Sequence, residues 1–342
     1  MTSHSRNIAD TARLIWPDYR PTPLIELPLL ARECGVARVM IKLENERPLG
    51  NFKSLGGMYA GLWALSQASG SGDIGALLAD PPSGLPSLIC ASDGNHGLAV
   101  AAAARRVGAG AIIYLHDQVP PARAERIAAL GARVVRVRGT YDDAVAAAAA
   151  DVSGLLIADT SDRLDDAIVA RVMQGYGLIA SEIRDQLAAD GRDYPTHMFV
   201  QAGVGGFAAA MAHGLCAHLA KPGRVITVEP ETAPCVAYAL RKGAPERVSG
   251  SLKTSAEMLS CGLASSPAVT ALLHHRAVAV LVGETLLGEM PALLARAGGP
   301  LTTASGAAGL AGLLHASRDR TLREQIAIGS DSCVLLTVTE GC

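Results

Sequence analysis

Residues 87–115 read SLICASDGNHGLAVAAAARRVGAGAIIYL, and this stretch decides the fold class. An apolar run over 87–91 is followed by the polar segment 92–97, then by an alanine-rich stretch to Val107 and a second apolar run over 111–115. Short apolar runs that alternate with longer alanine-rich stretches are typical of βαβ units, in which helices connect parallel strands. The stretch therefore predicts a strand, a helix and a second strand parallel to the first.

The same alternation continues towards both ends of the chain. Further strands are predicted at 133–137, 155–158, 198–201, 224–229 and 333–339, and further helices at 120–130, at 141–150 and from a glycine-rich turn to Ala220. We therefore predict an α/β protein with two doubly wound domains and mainly parallel sheets. The smaller domain is predicted to cover 55–160, and the larger one 1–54 and 161–342. Residues 70–87 are rich in Gly, Ser and Pro and are predicted to form an exposed loop.

The composition favours a globular protein with a sizeable core. The chain has 342 residues, of which 49% are hydrophobic, and a mean hydropathy of +0.27, which is inconsistent with a disordered chain. Only 18% of the residues are charged and the formal net charge is -2, so no basic surface of the kind that binds nucleic acid is expected. The longest apolar runs, such as 98–104, are too short to cross a bilayer. We therefore expect neither nucleic acid nor a membrane as a partner.

Cysteine usage and the first residues favour a cytoplasmic protein. The seven cysteines are scattered, without a C-x-x-C pair and without the spacing of zinc ligands. An odd number of scattered cysteines is typical of reduced thiols, so neither a disulfide framework nor a metal is expected. Residues 1–10 are polar and lack the apolar segment of a signal peptide.

A glycine-rich turn, Gly203-Val204-Gly205-Gly206, follows the strand predicted at 198–201 and precedes a predicted helix. Glycines at such a position let backbone N–H groups approach an anion, and the helix N-terminus adds partial positive charge. The turn therefore predicts a phosphate site. With Ala208 and Glu229 it also matches a dinucleotide fingerprint, so a nicotinamide-dependent oxidoreductase is one alternative. A plain turn that allows tight strand–helix packing is another.

A single lysine, Lys53, stands in Gly50-Asn51-Phe52-Lys53-Ser54-Leu55-Gly56-Gly57, between a predicted strand and a predicted helix. Apolar surroundings disfavour the ammonium form of lysine, and the neutral amine is the form that attacks a carbonyl. The segment therefore predicts a site that holds an aldehyde cofactor as a Schiff base. The alternative is a surface lysine near the start of a helix.

Two further segments at strand ends carry polar residues. In 92–97, Asn95 is suited to bind a ring hydroxyl or a substrate carboxylate, and Asp93 to accept or donate a proton. Asp and Asn are also common turn and cap residues, and a histidine at a helix start, here His96, is more often structural than catalytic. After the last strand, the hydroxyl of Thr339 is suited to face a heterocyclic nitrogen.

Taken together, these segments resemble the fold-type II pyridoxal-phosphate enzymes, the tryptophan-synthase-β-like family. Asn51-Phe52-Lys53 is similar to the Schiff-base motif of that family, 92–97 to its substrate-carboxylate loop, and 203–206 to its phosphate-binding turn. The matching motifs run from Pro21 to Gly341, so the resemblance covers nearly the whole chain.

Within that family the chain most resembles the diaminopropionate ammonia-lyase branch. Asp93 stands where most serine and threonine dehydratases carry a small residue. Other segments typical of the branch are Asp159-Thr160, Met173-Gln174-Gly175-Tyr176, Val228-Glu229-Pro230, Ala233-Pro234-Cys235, Leu252-Lys253-Thr254, Ser305-Gly306 and Thr339-Glu340-Gly341. The chain departs from the branch at Ser161-Asp162-Arg163-Leu164-Asp165 and at Ala304. These departures bear on the identity of the substrate and not on the cofactor.

The resemblance implies pyridoxal 5′-phosphate as the cofactor and a defined set of site residues. Lys53, Asp93 and Asp159 are implied as catalytic residues. The residues implied to bind the cofactor are Phe52, Lys53, Asn95, Gly203, Val204, Gly205, Gly206 and Thr339. The residues implied to bind the substrate are Ser92, Gly94, Asn95 and His96.

The activity implied is β-elimination from a small β-substituted amino acid, most like 2,3-diaminopropionate, giving pyruvate and ammonia in a cytoplasmic homodimer. Lys53 or Asp93 would remove the α-proton, Asp93 would protonate the departing β-amine, and Asp159 would orient that amine. Two bases on separate loops further predict that both enantiomers react. The alternatives are a β-replacement synthase, a serine or threonine dehydratase, and a non-catalytic binding protein, which would have had no need to retain the lysine and the phosphate turn.

Overall fold

The computed structural model of the chain describes residues 8–92 and 94–342. The helices in this part of the chain are α1 (Ile8–Ile15), α2 (Pro28–Cys34), α3 (Lys53–Ala68), α4 (Ile74–Ala79), α5 (Asn95–Arg106), α6 (Pro121–Ala128), α7 (Tyr141–Ala150), α8 (Ala167–Ala189), α9 (Gly206–Leu215), α10 (Cys235–Lys242), α11 (Ser266–His274), α12 (Glu284–Arg296), α13 (Ala308–Arg318) and α14 (Arg320–Ile326). The strands are β1 (Leu24–Glu26), β2 (Arg38–Leu43), β3 (Ser87–Ala91), β4 (Ala111–His116), β5 (Arg133–Val137), β6 (Gly154–Leu156), β7 (His197–Gln201), β8 (Arg224–Pro230), β9 (Val278–Val282) and β10 (Cys333–Val338). None of the described helices is long and apolar enough to cross a membrane.

The chain divides into two compact units, and the first contains residues 8–20, Lys53–Ser161 and Asp165–Leu178. Its described residues form a four-stranded parallel sheet in the order β5-β4-β3-β6. Ile89 of β3 and Ile112 of β4 are register partners, and both belong to a core that includes alanines of α7. Because alanine carries no atoms beyond Cβ, the helix packs close to the sheet.

The second unit contains Pro21–Phe52, Asp162–Leu164 and Ile179–Cys342. Its described residues form a six-stranded sheet in the order β1-β2-β10-β7-β8-β9, in which only the pairing of β1 with β2 is antiparallel. Since β7 and β10 are parallel neighbours, the segments that follow them leave the sheet at the same edge. These two segments are the turn 203–206 and Thr339.

The predicted fold class is confirmed by these two mainly parallel sheets with helices between successive strands. Strands β3 and β5 and helix α7 have the bounds predicted from the sequence. Strand β6 was predicted at 155–158 but begins one residue earlier and ends two residues earlier, at Leu156.

The prediction of an exposed loop over 70–87 is wrong, because α4 lies within this segment. The Asp73 carboxylate accepts a hydrogen bond from the backbone N–H of Ala76, 2.8 Å away, and so caps the helix. Ile74 and Leu77 are buried. A short helix with one cap and two buried residues has too little periodicity to stand out among glycines, serines and prolines.

The compact units also differ in extent from the predicted domains. Residues 8–20 and 165–178 belong to the first unit, whereas the sequence-based division placed them in the larger domain. For the N-terminal segment the reason is packing, since α1 contacts α3 and α4.

A close approach of α8 to α3 makes Gly175 a sensitive position. A Cβ atom on Gly175 would lie 2.7 Å from Gly56 Cα and 2.8 Å from the carbonyl oxygen of Leu55, and backbone atoms cannot rotate away. We expect Gly175→Ala to lower the free energy of unfolding by about 2 kcal/mol. Gly177→Ala is the matched control, because the space around Gly177 is open. This substitution should raise the free energy of unfolding by about 0.5–1 kcal/mol. Thermal unfolding of both variants measures the difference, and equal behaviour of the two would contradict the predicted clash.

Candidate active site

Lys53 is the first residue of α3 and forms an ion pair with Asp159. The Lys53 Nζ atom donates a hydrogen bond to Asp159 Oδ2 at 2.8 Å. The lysine side chain is 24% exposed and the aspartate side chain only 6%. The predicted apolar, glycine-flanked surroundings of Lys53 thus also include a buried carboxylate, which contacts the amine and stabilises its ammonium form.

Asp159 receives a second hydrogen bond, from a tyrosine at the start of α7. The hydroxyl of Tyr141 lies 3.2 Å from Asp159 Oδ1, so both carboxylate oxygens have donors. Burial alone raises the pKa of Asp159, but the charge of Lys53, aided by hydrogen bonds from Lys53 and Tyr141, outweighs burial and holds this pKa well below its usual range. The ionised form of the buried Asp159 carboxylate is therefore favoured while the Lys53 ammonium lies beside it.

Segment 92–97 connects β3 to α5 and is ordered by a serine. Ser92 Oγ accepts hydrogen bonds from the backbone N–H groups of Gly94, at 2.9 Å, and Gly97, at 2.8 Å. Gly94 has φ +145°, a conformation that side chains rarely adopt, and Asn95 is the first residue of α5. The Ser92 hydroxyl still has its own hydrogen to donate. Asp93, predicted to be catalytic, lies outside the described residues.

His96 is buried and bonded to the segment that leads to Asp159. The residue is only 1% exposed, and the Nε2 atom of its ring lies 2.7 Å from the carbonyl oxygen of Ile157. A carbonyl only accepts, so Nε2 donates; burial lowers the pKa of His96 and favours the neutral ring. This hydrogen bond orders the backbone two residues before Asp159, and the substrate contact of His96 stays a prediction.

The glycine-rich turn 203–206 connects β7 to α9 in the second unit. Gly205 has φ +96°, and a Cβ on Gly203 would lie 3.2 Å from both Cys261 Sγ and the carbonyl oxygen of Met258. The tight surroundings and the positive φ explain why glycine is needed at both positions. Helix α9 begins at Gly206 and runs for ten residues, so its first N–H groups point toward the turn. Such a helix start suits an anion.

Thr339 follows β10 and is held by Gln201, the last residue of β7. Gln201 Nε2 donates to Thr339 Oγ1 at 3.1 Å and to the carbonyl oxygen of Thr337 at 3.0 Å. Since Thr339 Oγ1 accepts this bond, its own hydrogen stays available as a donor. Thr339 is buried, and its role as a donor to a heterocyclic nitrogen stays a prediction.

Phe52, which is bonded to Lys53, is anchored in the second unit. Its ring lies against that of Phe207, with centroids 4.4 Å apart and planes tilted by 46°. Its backbone N–H donates to the carbonyl oxygen of Thr339 at 3.0 Å. The residue before the lysine therefore contacts the residue after the glycine turn and also the end of the last strand.

Glu229 contradicts the nicotinamide alternative. A dinucleotide site requires the acidic side chain at this place to bind a ribose hydroxyl. Glu229 is instead fully buried, and its Oε1 and Oε2 atoms accept the backbone N–H groups of Val236, at 2.7 Å, and Ala237, at 2.6 Å. Both oxygens cap the start of α10, so the glycine turn lacks the acidic partner that the fingerprint needs.

Glu229 also predicts how stability changes with pH. Burial is the largest influence and raises the pKa of Glu229 from 4.5 to about 8, although the two backbone hydrogen bonds act in the opposite direction. The folded chain thus binds this proton more tightly than the unfolded chain, so the stabilisation is complete below about pH 4.5 and is lost as the pH rises to about 8. We expect the difference in Tm between the wild type and Glu229→Gln to shrink from pH 5 to pH 8. A difference that grows with pH would contradict the raised pKa.

Three residues near these groups escaped the sequence analysis: Tyr141, Gln201 and Phe207. Gln201 carried a usable signal, because it is a polar residue at the carboxyl end of an apolar strand, two residues before the glycine turn. Tyr141 carried none, since its pairing with Asp159 depends on the packing of α7 and not on local sequence.

The chemical groups of these residues fit those of pyridoxal phosphate. The Lys53 amine could bind an aldehyde, the N–H groups at the start of α9 could bind a phosphate, and the Thr339 hydroxyl could donate to a pyridine nitrogen. The closeness of Cys261 and Met258 to Gly203 leaves little space for a side chain at position 203. Within residues 8–92 and 94–342, no group of three or more His, Cys, Asp or Glu side chains is arranged to hold a metal ion.

Known proteins are similar to this chain over most of its length. A family model described as "Pyridoxal-phosphate dependent enzyme" matches residues 15–339. Diaminopropionate ammonia-lyase of Escherichia coli strain K12 is 32% identical over 348 residues, which cover 94% of this chain and 85% of that protein. The crystal structure of the Escherichia coli enzyme in complex with an aminoacrylate-PLP azomethine reaction intermediate has a TM-score of 0.85 at 30% identity and covers 98% of this chain and 89% of that chain. The same coverage, with a TM-score of 0.86 and 29% identity, holds for the crystal structure of that enzyme in complex with D-serine. The predicted resemblance is thereby confirmed, and the chain belongs to the fold-type II family of pyridoxal-phosphate-dependent enzymes.

Proposed function

We propose that this chain is an ammonia-lyase that eliminates the β-amino group of 2,3-diaminopropionate and releases pyruvate and ammonia. The observation that carries the proposal is the buried, ionised carboxylate of Asp159, 2.8 Å from Lys53 Nζ. A negative charge at this place suits a cationic β-ammonium group better than the neutral hydroxyl of serine. The similarity to diaminopropionate ammonia-lyase over 94% of the chain supports the same substrate class.

Pyridoxal phosphate would be held by residues of four segments. Lys53 Nζ would bond to the aldehyde carbon, the turn 203–206 and the start of α9 would receive the phosphate, and the Thr339 hydroxyl would donate to the pyridine nitrogen. When bound, pyridoxal phosphate supplies an electron sink that stabilises negative charge on the α-carbon of the substrate. Phe52 keeps the backbone before Lys53 in place through Phe207 and Thr339.

The remaining residues bind the substrate and move protons. The backbone of segment 92–97 and Asn95 receive the α-carboxylate at the start of α5. The free amine of Lys53 would accept the α-proton of one enantiomer. Asp93 accepts it from the other enantiomer and returns a proton to the departing β-amine, while Asp159 orients this amine. Addition of water then completes the conversion to a 2-oxo acid.

Product stoichiometry tests the proposed function. Elimination from 2,3-diaminopropionate followed by hydrolysis consumes one water and releases two ammonia molecules for each pyruvate, whereas serine would release one. We expect the purified protein with its cofactor to form pyruvate and ammonia in this ratio of two to one, with a kcat/KM for diaminopropionate well above that for serine. Faster turnover of serine would favour a dehydratase, and formation of a new β-substituted amino acid from an added nucleophile would favour a synthase.

Asp93 is proposed to serve one enantiomer more than the other. If Asp93 and Lys53 are bases on opposite faces of the substrate, Asp93→Asn should lower kcat/KM for one enantiomer of diaminopropionate by about 100-fold and for the other much less. Separate assays of the D- and L-forms measure the two effects. An equal loss for both enantiomers would contradict this division of roles.

We further propose that the protein works as a homodimer in the cytoplasm. Cysteines without a disulfide among the described residues support a reducing compartment. Light scattering during size exclusion should give twice the chain mass of 35.2 kDa, and a monomer mass would contradict the dimer.

A further inference from the structure

The turn before Lys53 contains a leucine in an unfavourable backbone conformation. Leu49 has φ 70° and ψ 4°, and the next residue, Gly50, has φ 76°. The hydrogen bond from Gly50 N–H to the carbonyl oxygen of Arg47 closes a turn in which Leu49 is the third residue. A positive φ at this position favours glycine or asparagine, because a leucine side chain clashes with its own backbone there. A strained conformation of this kind persists only where the surroundings fix it from both sides.

On the N-terminal side, the turn is tied to a buried network of charges. Gly50 N–H donates to the carbonyl oxygen of Arg47 at 2.8 Å. Arg47 is 4% exposed and binds Glu44 with Nε at 2.7 Å and Nη2 at 2.9 Å, and it also contacts Glu182 of α8. Glu182 in turn binds Lys42 of β2 at 2.7 Å. Removing one partner would leave a buried charge uncompensated, so Arg47 is firmly held.

On the C-terminal side, the turn is tied to the end of the last strand. Asn51 forms an antiparallel bridge with Glu340, and Gly341 N–H donates to the carbonyl oxygen of Gly50 at 3.0 Å. The Asn51 side chain closes the turn by donating from Nδ2 to the carbonyl oxygen of Leu49 at 3.0 Å. The backbone from Arg47 to Phe52 is therefore bonded on both flanks of Leu49.

We infer that Leu49 is a positioning residue for Lys53. Its left-handed turn, held between the Arg47 network and the Glu340 bridge, restricts the backbone of Asn51 and Phe52 to one conformation. The peptide from which Lys53 starts is thereby fixed before the cofactor arrives. This inference rests on the proposed attachment of pyridoxal phosphate to Lys53. It adds that the strained backbone of Leu49 lowers the stability of the fold but orders the attachment site.

Two substitutions at position 49 separate positioning from stability. Leu49→Gly removes the clash and frees the turn, so we expect the Tm of the cofactor-free protein to rise by roughly 1–2 °C while covalent attachment to Lys53 slows about tenfold. Leu49→Asn favours the same turn, so we expect its Tm to rise while attachment stays at the wild-type rate. Ala327→Gly is the matched control, because Ala327 is an exposed residue with φ 59° after α14, where glycine should raise Tm alone.

The experiment mixes each cofactor-free protein with pyridoxal phosphate, stops aliquots with borohydride and quantifies the Lys53 adduct by peptide mass spectrometry. Tm is measured on the same preparations. Slower labelling of Leu49→Gly with an unchanged or raised Tm, together with normal labelling of Leu49→Asn and Ala327→Gly, supports the inference. Labelling of Leu49→Gly at the wild-type rate overturns it while leaving the proposed function intact. Failure of the wild type to label at Lys53 overturns both.

Discussion

Replacing Lys53 by alanine is expected to lower kcat for diaminopropionate by about 10⁴-fold or more. The substitution removes the only amine proposed to bond the cofactor and, with it, a base for the α-proton, and each role contributes a large factor. It also leaves the buried carboxylate of Asp159 without the ammonium partner that lies 2.8 Å away in the wild type. We therefore expect a lower Tm in addition to the loss of turnover, because an uncompensated buried charge is costly.

Two controls make the Lys53 result specific. Lys242→Ala removes an exposed lysine that lies 3.8 Å from Glu246 on the surface, and it should keep wild-type kcat and Tm. Lys53→Ala assayed with added methylamine should regain part of its activity if the amine acts as a chemical group and not through packing. Turnover by Lys53→Ala at more than a few per cent of the wild-type kcat would contradict the proposed role.

Replacing Asp159 by asparagine is expected to lower kcat/KM for diaminopropionate by about 100-fold, the equivalent of about 3 kcal/mol. Asparagine keeps the shape of the side chain and can accept one hydrogen bond, from Lys53 or from Tyr141, but it carries no charge. The loss should therefore fall mainly on a substrate with a cationic β-group. We expect kcat/KM for serine to fall by less than tenfold, so the preference for diaminopropionate over serine narrows in the variant.

Asp151 offers a matched control for the Asp159 experiment. Its Oδ2 atom accepts a hydrogen bond from the hydroxyl of Tyr114 at 2.8 Å, as Asp159 does from Tyr141, but it lies at the exposed end of α7. Asp151→Asn should leave the kinetic constants for both substrates unchanged. If Asp159→Asn lowered kcat/KM equally for diaminopropionate and serine, the carboxylate would order the site without distinguishing substrates by the charge of the β-group.

The sequence predicts the sheets of this chain better than its short helices. Strand β3 and helix α7 were predicted with their observed bounds because strong apolar and alanine runs end at clear turn residues. Helix α4 was missed because a single cap at Asp73 and two buried residues define it within a segment rich in Gly, Ser and Pro. Local sequence predicts a helix or strand only where the element is long enough for its hydrophobic periodicity to be recognised.

The environment of the candidate site was less predictable than its members. Lys53 and Asp159 are 106 positions apart, so their ion pair depends on how α3 and the segment after β6 pack. The sequence suggested apolar surroundings for Lys53 and left Glu229 open as a ribose ligand. The ion pair of Lys53 and the two backbone hydrogen bonds of Glu229 could not be foreseen, since burial and hydrogen-bond partners are properties of the folded chain.

The covalent bond between Lys53 and pyridoxal phosphate is the claim on which the proposed mechanism depends most. The chain has five lysines, namely Lys42, Lys53, Lys221, Lys242 and Lys253, so peptide mapping can distinguish every possible site. Lys42 is fully buried and donates to Thr22, Gln186 and Glu182, which leaves it no hydrogen for another partner. Borohydride reduction of the purified protein loaded with pyridoxal phosphate, followed by peptide mass spectrometry, should find the reduced adduct on Lys53 alone. An adduct on another lysine, or an unmodified Lys53 in protein that has bound the cofactor, would contradict the account.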